Sequence, residues 1–241
     1  MLTFLRILFL ATLFSSNYNP SYGQDTNVGL YNWFDETVGK SNLDLNNGIL
    51  FVNIDKTQKD NHRFYFEELF TKGTVNFDNQ NYFDVVLNYD VYKDLVIIKP
   101  NGNSDRRGIY LANEKTSCFE MNTTKFVNLS FIKPLPENFD TGFYEEIFKG
   151  KDFICYSKLK KSKSDLIVDL TVYDYFISSL NFILIKNNQF YKINSEKSIS
   201  KLFPDQKKVI TAFYIDNYRL ESSNKKAFFK ILFQTLNDNS K

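Results

Sequence analysis

The chain has 241 residues, 43% hydrophobic and 24% charged, enough for a substantial core with an ordinary globular balance. Its net charge of +2 excludes partners held by bulk attraction alone, nucleic acid and anionic membrane surfaces among them. Aromatic residues reach 17%, with 25 Phe and 15 Tyr, which favours β structure and large core side chains.

The N-terminus reads as a secretory leader. "MLTFLR" carries one positive side chain, and Ile7 to Phe14 is apolar but too short to span a bilayer. "SSNYNPSYG" follows, and Ser21-Tyr22-Gly23 has the small-x-small form of a cleavage site. Cleavage is expected between Gly23 and Gln24, dividing the chain into a leader (1–23), a β-rich body (24–194) and a helical segment of the same domain (195–241). No Cys lies near the cleavage site to carry a lipid anchor, and no later stretch is long and apolar enough for a transmembrane helix. An exported, soluble mature chain is expected.

Residues 24–47 are polar around an aromatic cluster of Tyr31, Trp33 and Phe34, and "SNLDLNNG" then approaches the strand-like "ILFVNI". "TQKDNH", Thr57 to His62, reads as an exposed loop. Four hairpins follow from turn chemistry. Their turns are Asp78 to Asn81, Asn122-Thr123-Thr124, Lys149-Gly150-Lys151 and Asn187-Asn188, each flanked by apolar runs. "LIVDLTVYDYF" reads as one further strand with Leu166, Val168, Leu170 and Val172 on one face, and "KLKKSKSD" before it as a solvated strand end or loop.

From Ser195 the period changes to helical. Ile199, Leu202 and Phe203 suit a short helix, Pro204 the start of a second, and "SSNK" supplies caps for a last helix. That helix carries the stripe Ala227, Phe228, Ile231, Leu232, Thr235 and Leu236. The fold class is therefore α+β: a curved, mainly antiparallel sheet over about residues 48–193, with the helical C-terminal segment packed on it.

"YFDVVLNYDVYKD", Tyr82 to Asp94, tests whether carboxylates gather at a site. Strand alternation puts Phe83, Val85, Leu87, Tyr89 and Val91 on a core face, and Tyr82, Asp84, Val86, Asn88, Asp90 and Tyr92 toward water. At about 3.3 Å per residue Asp84 and Asp90 stand roughly 20 Å apart, too far to share one ion.

Other chemistry is sparse. His62 is the one histidine, which removes any site needing two, and two cysteines are too few for a Cys-rich zinc site. Arg106 and Arg107 are adjacent in a loop and diverge, as do Glu67-Glu68 and Glu145-Glu146. Asn122 and Asn128 open N-glycosylation sequons, which matter only in a eukaryotic secretory pathway. Cys118 and Cys155 lie in strand-like runs and either form a disulfide, if their Cα atoms come within about 4.4–6.8 Å, or pack as buried free thiols. No catalytic, cofactor-binding or metal-ligating residue stands out, and no cofactor is expected.

Several stretches resemble a known group taken together: "YNWFDETVGKSNLDLNNG", "KGTVNFDNQNYFDVVLNYDVYKDLVII", "KFVNL", "GFYEEIFKG" and "YKINSEKSISKLFPDQKKVITAFY". They resemble exported β-rich proteins of Bacteroidota-type Gram-negative bacteria. The resemblance implies a home in the periplasm or on the periplasmic face of the outer membrane, and it brings no activity. Three readings of function follow. The leading one is a non-enzymatic envelope protein that binds another envelope component as an accessory subunit. The alternatives are a carrier of a lipid or other apolar ligand in a cleft between sheet and helices, and a hydrolase whose carboxylates meet only in the fold.

Overall fold

The computed structural model describes residues 27–39, 43–58, 60–100 and 107–239. The expected leader and its cleavage site at Gly23 and Gln24 lie outside these residues, as does Arg106. A helix, α1 (Asn27–Val38), precedes eleven strands. They are β1 (Ile49–Val52), β2 (Thr71–Phe77), β3 (Gln80–Asp90), β4 (Leu95–Ile98), β5 (Arg107–Tyr110), β6 (Thr116–Met121), β7 (Thr124–Asn128), β8 (Phe143–Lys149), β9 (Phe153–Val168), β10 (Thr171–Lys186) and β11 (Gln189–Ile193). The chain ends in α2 (Glu196–Leu202), α3 (Lys207–Asp216), α4 (Tyr218–Ser223) and α5 (Lys225–Asp238). All eleven strands form one open sheet in the order β1-β5-β4-β3-β2-β6-β7-β8-β9-β10-β11, and every ladder is antiparallel.

Four of the hairpins turn on two residues with positive φ: Asp78-Asn79, Asn122-Thr123, Asp169-Leu170 and Asn187-Asn188. Both central residues of a type I′ turn need that conformation, which Asn and Asp tolerate best. The turn at Asp169-Leu170 corrects the reading of "LIVDLTVYDYF" as one strand. Val168 pairs with Thr171 across it, so the run is the end of β9, a turn and the start of β10. Leu170 hid the turn, because a leucine at φ 60° gives no turn signal.

β9 and β10 are 16 residues each, the longest strands in the sheet. β8 pairs with β9 only over Ile154–Ser157, and β11 with β10 only over Phe182–Lys186. Beyond these limits β9 and β10 form a two-stranded ribbon, against which Thr57 and Asn61 lie through a bridge from Thr57 to Asp174 and hydrogen bonds between Asn61 and the backbone of Phe176. "KLKKSKSD" is the middle of β9 rather than a loop, and all four of its lysines are engaged, Lys160 with Asp140 and Lys163 with Asp55 and Asp174. Lys158 is buried against Asp94, and Lys161 Nζ donates to His62 O (2.5 Å) and Phe64 O (2.6 Å). Lys158 is five strand steps from β3, yet it meets Asp94 just beyond that strand. The sheet therefore coils strongly, as right-handed strand twist favours.

One core lies on the coiled face around Leu87, Tyr89, Val96, Phe119, Phe126 and Phe143. A second joins β8 to β11 with the C-terminal helices. There Phe228, Phe229, Leu232, Phe233 and Leu236 of α5 are all fully buried. The stripe is thus rotated from the expected one: Phe229 and Phe233 belong to it, while Ile231 is 45% exposed. Ser195 and Ser198 form a reciprocal capping box at α2, and Asn224 caps α5 through Ala227 N, as the residue types suggest.

Cys118 and Cys155 are free thiols. β7 and β8 stand between their strands, and three strand spacings of ~4.8 Å put them out of disulfide range.

Candidate functional site

The "YFDVVLNYDVYKD" stretch disperses its polar groups rather than gathering them. A β-bulge changes the register between Gly73 and Val75, opposite Asp84, which sits at φ 54°. The extra residue inverts the alternation. Tyr82 is buried and Asp84 exposed, but both Leu87 and Tyr89 are also buried, so inward-facing residues are even before the bulge and odd after it. The uniform faces expected from alternation are corrected accordingly.

Asn88 and Asp90 do not meet water either. Residues 63–70 cross that face of β3, with Tyr65 N donating to Tyr89 O and Val91 N to Arg63 O. Asn88 Nδ2 donates to Glu67 O (3.0 Å) and Leu69 O (3.2 Å). Asp90 accepts from Tyr110 Oη (2.6 Å) and Lys93 N (3.1 Å) and lies 3.4 Å from Arg63 Nη1. Arg63 Nε lies 2.7 Å from Asp55, which Lys163 links onward to Asp174. This chain of charges, buried at Asp90, Arg63 and Asp55 and reaching the surface at Lys163, fastens the crossing loop to the ribbon. The rings of Tyr92 and Phe176 flank the guanidinium of Arg63. His62 is half-buried rather than exposed, and burial with nearby Lys161 pulls its pKa below the usual imidazole value. Lys161 is itself pulled down to about 8 by burial.

A second polar cluster braces α5. Lys226 lies 2.6 Å from Glu145, Tyr65 Oη touches both, and Ser157 donates to Glu145 at 3.1 Å. Glu146, the sequence neighbour of Glu145, turns to Lys125 instead, so that pair does diverge. Glycosylation at Asn128 is excluded sterically: the residue is buried and its Nδ2 donates to Asn113 O and Thr116 O.

A cleft of about 580 Å³ lies beneath α1, lined by Asp35, Glu36 and Asp84 with Lys72 and Lys99. The bulge aims Asp84 toward α1, where Asn32 Nδ2 donates to it at 3.0 Å. Among the described residues no three His, Cys, Asp or Glu side chains are placed to hold a metal ion. The space between sheet and C-terminal helices, where an apolar ligand would lodge, is filled by the α5 phenylalanines and leucines.

Helix α1 itself is the most unusual surface, and sequence reading missed it as a helix. Its inner face is largely polar: Asn32 binds Asp84 and Asp35 is buried, with Tyr31 packed on Phe83. Its outer face is apolar. Leu30, Trp33, Phe34 and Val38, at helical spacing, are 60%, 61%, 51% and 40% exposed. Their spacing was the available signal, but periodicity reveals a stripe and not whether anything covers it. Between Asn27 and Val38 the helix carries Asp35 and Glu36 and no Lys or Arg.

No family model, curated protein or solved structure matches the chain. Among the described residues no helix is long and apolar enough to cross a membrane.

Proposed function

We infer that the protein is an exported, non-enzymatic binding protein of the cell envelope, acting as an accessory subunit through the outer face of α1. The observation that carries this reading is the exposed stripe of Leu30, Trp33, Phe34 and Val38 on a helix already seated on the sheet by its opposite face. Such contiguous apolar exposure marks an interaction surface, and an amphipathic helix of this kind lays its stripe into an apolar groove. The charge of α1 selects the occupant. Interfacial membrane helices use Lys and Arg against anionic headgroups, whereas α1 has neither, and of its two carboxylates Asp35 is buried and Glu36 is exposed. An apolar protein groove with a basic side chain placed to meet Glu36 is complementary to it. The filled interface beneath α5 argues against an apolar-ligand carrier.

Trp33 is the sole tryptophan and reports on this surface directly. A photo-crosslinker at Phe34, activated in the native envelope, is expected to give one stoichiometric protein adduct, lost with Trp33→Asp. Binding of that isolated partner should blue-shift Trp33 emission. A blue shift with lipid vesicles alone would replace the protein partner with a membrane surface. Substrate turnover by the pure chain would overturn the non-enzymatic reading.

A further inference from the structure

We propose that β1 pairs antiparallel with β1 of a second copy, joining two sheets across a two-fold axis. β1 ends the sheet, and among the described residues it pairs only with β5. Such an edge presents free backbone donors and acceptors, which proteins usually guard with lysine, proline or a covering segment. Here the stretch from Gly48 to Ile54 has no charged residue and no proline. Ile49, Leu50, Val52 and Ile54 are instead 76%, 64%, 43% and 86% exposed. The opposite edge is treated differently. β11 carries Lys192, Lys133 is bonded to Asn188 at its hairpin turn, and α2 follows at once with Ile199 in the same core as Ile193. One edge is guarded and the other is left apolar and open.

Self-pairing is favoured over another strand because β1 is compatible with its own copy. A two-fold axis sets each residue opposite one from the same short segment, so any charge there could face its like. None is present. The axis also fixes the register. Directly opposed residues in an antiparallel ladder share a face, so the pairing must centre on a residue if the two sheets are to run on with their faces matched. Centring on Phe51 sets Leu50 opposite Val52 of the second copy, and Val52 opposite Leu50 of the second copy. Four exposed apolar side chains then close on one another on the outer face. Phe51, buried beside Phe64 and Tyr110, stays on the inner face. An isologous contact of this kind uses both open edges at once and closes the assembly at two chains. It involves none of α1, so it stands apart from the partner-binding reading.

Sedimentation of the purified chain over a range of concentrations is expected to show a monomer–dimer equilibrium. Leu50→Lys with Val52→Lys should leave a folded monomer, while Trp33→Asp should leave the dimer intact. The register has its own test, which holds even if the double lysine variant fails to fold. Leu50→Cys and Val52→Cys chains, mixed and mildly oxidised with diamide, should crosslink to each other in excess of either alone. A chain that stays monomeric at every concentration, a dimer that survives both lysines in a folded variant, or no excess crosslinking in the mixture would overturn the proposal.

Discussion

Arg63 Nη1 lies 3.4 Å from Asp90 Oδ2, with the arginine side chain 9% and the aspartate 0% exposed. Removing the cation leaves a carboxylate buried without its charge partner. Arg63→Met is expected to destabilise the fold by about 3–5 kcal/mol. Adding Asp90→Asn should recover part of the loss, because the two changes share one interaction. Urea denaturation of the four chains of this cycle measures both quantities. Additive losses would show that the pair does not act as a unit.

Along α5, Phe233 and Ile231 are two residues apart and opposite in environment, fully buried and 45% exposed. Phe233→Ala is expected to cost about 3–5 kcal/mol through lost contacts and the cavity left behind. Ile231→Ala should stay within about 0.5 kcal/mol, as surface changes usually do. Similar losses at both would mean that α5 packs on a different face.

Cys155 is fully buried, and burial pushes its thiol well above the usual range. Its labelling by a thiol reagent should wait for unfolding, whereas the half-buried Cys118 reacts sooner. Reduction should leave the intact mass unchanged. A gain of two hydrogens would reveal the disulfide that the strand order forbids.

Burial raises the pKa of Tyr65, Tyr82, Tyr89, Tyr110, Tyr144, Tyr156 and Tyr214, reinforced by nearby carboxylates in each case. A raised pKa in the fold means that the native state keeps protons which the unfolded chain releases. Stability from these groups is complete below the ordinary tyrosine value of about 10 and is lost as pH rises past it. Alkaline unfolding followed by circular dichroism should therefore coincide with a steep rise in tyrosinate absorbance. Gradual ionisation of these tyrosines before unfolding would contradict their burial.

How far the fold could be read depended on whether a local signal existed. Asn187-Asn188 and Asn122-Thr123 announced hairpins because asparagine accepts positive φ, and Asn224 announced a helix start because its side chain caps one. The Asp84 bulge had no such mark, and a single inserted residue reversed every inward and outward assignment before it relative to those after it. The burial of Asn88 and Asp90 was equally hidden, since it depends on a loop arriving from earlier in the chain. At α1 the apolar stripe was present in the spacing of Leu30, Trp33, Phe34 and Val38, but its exposure follows from Asn32 and Asp35 taking the inner face.

The ribbon of β9 and β10 also sets an order of events in time. Asn61 exchanges hydrogen bonds with the backbone of Phe176, and Lys56 O accepts from Asp174 N, so these partners are more than a hundred residues apart in sequence. A chain made from its N-terminus at about 5–20 residues per second exposes the early loop for roughly 5–20 s before the ribbon exists. Through that interval Asp55 and Arg63 remain in water and the apolar β1 has no completed sheet to join. The contacts that fasten Lys56 and Asn61 to the ribbon thus wait for β10, and a chain truncated before Thr171 would never make them.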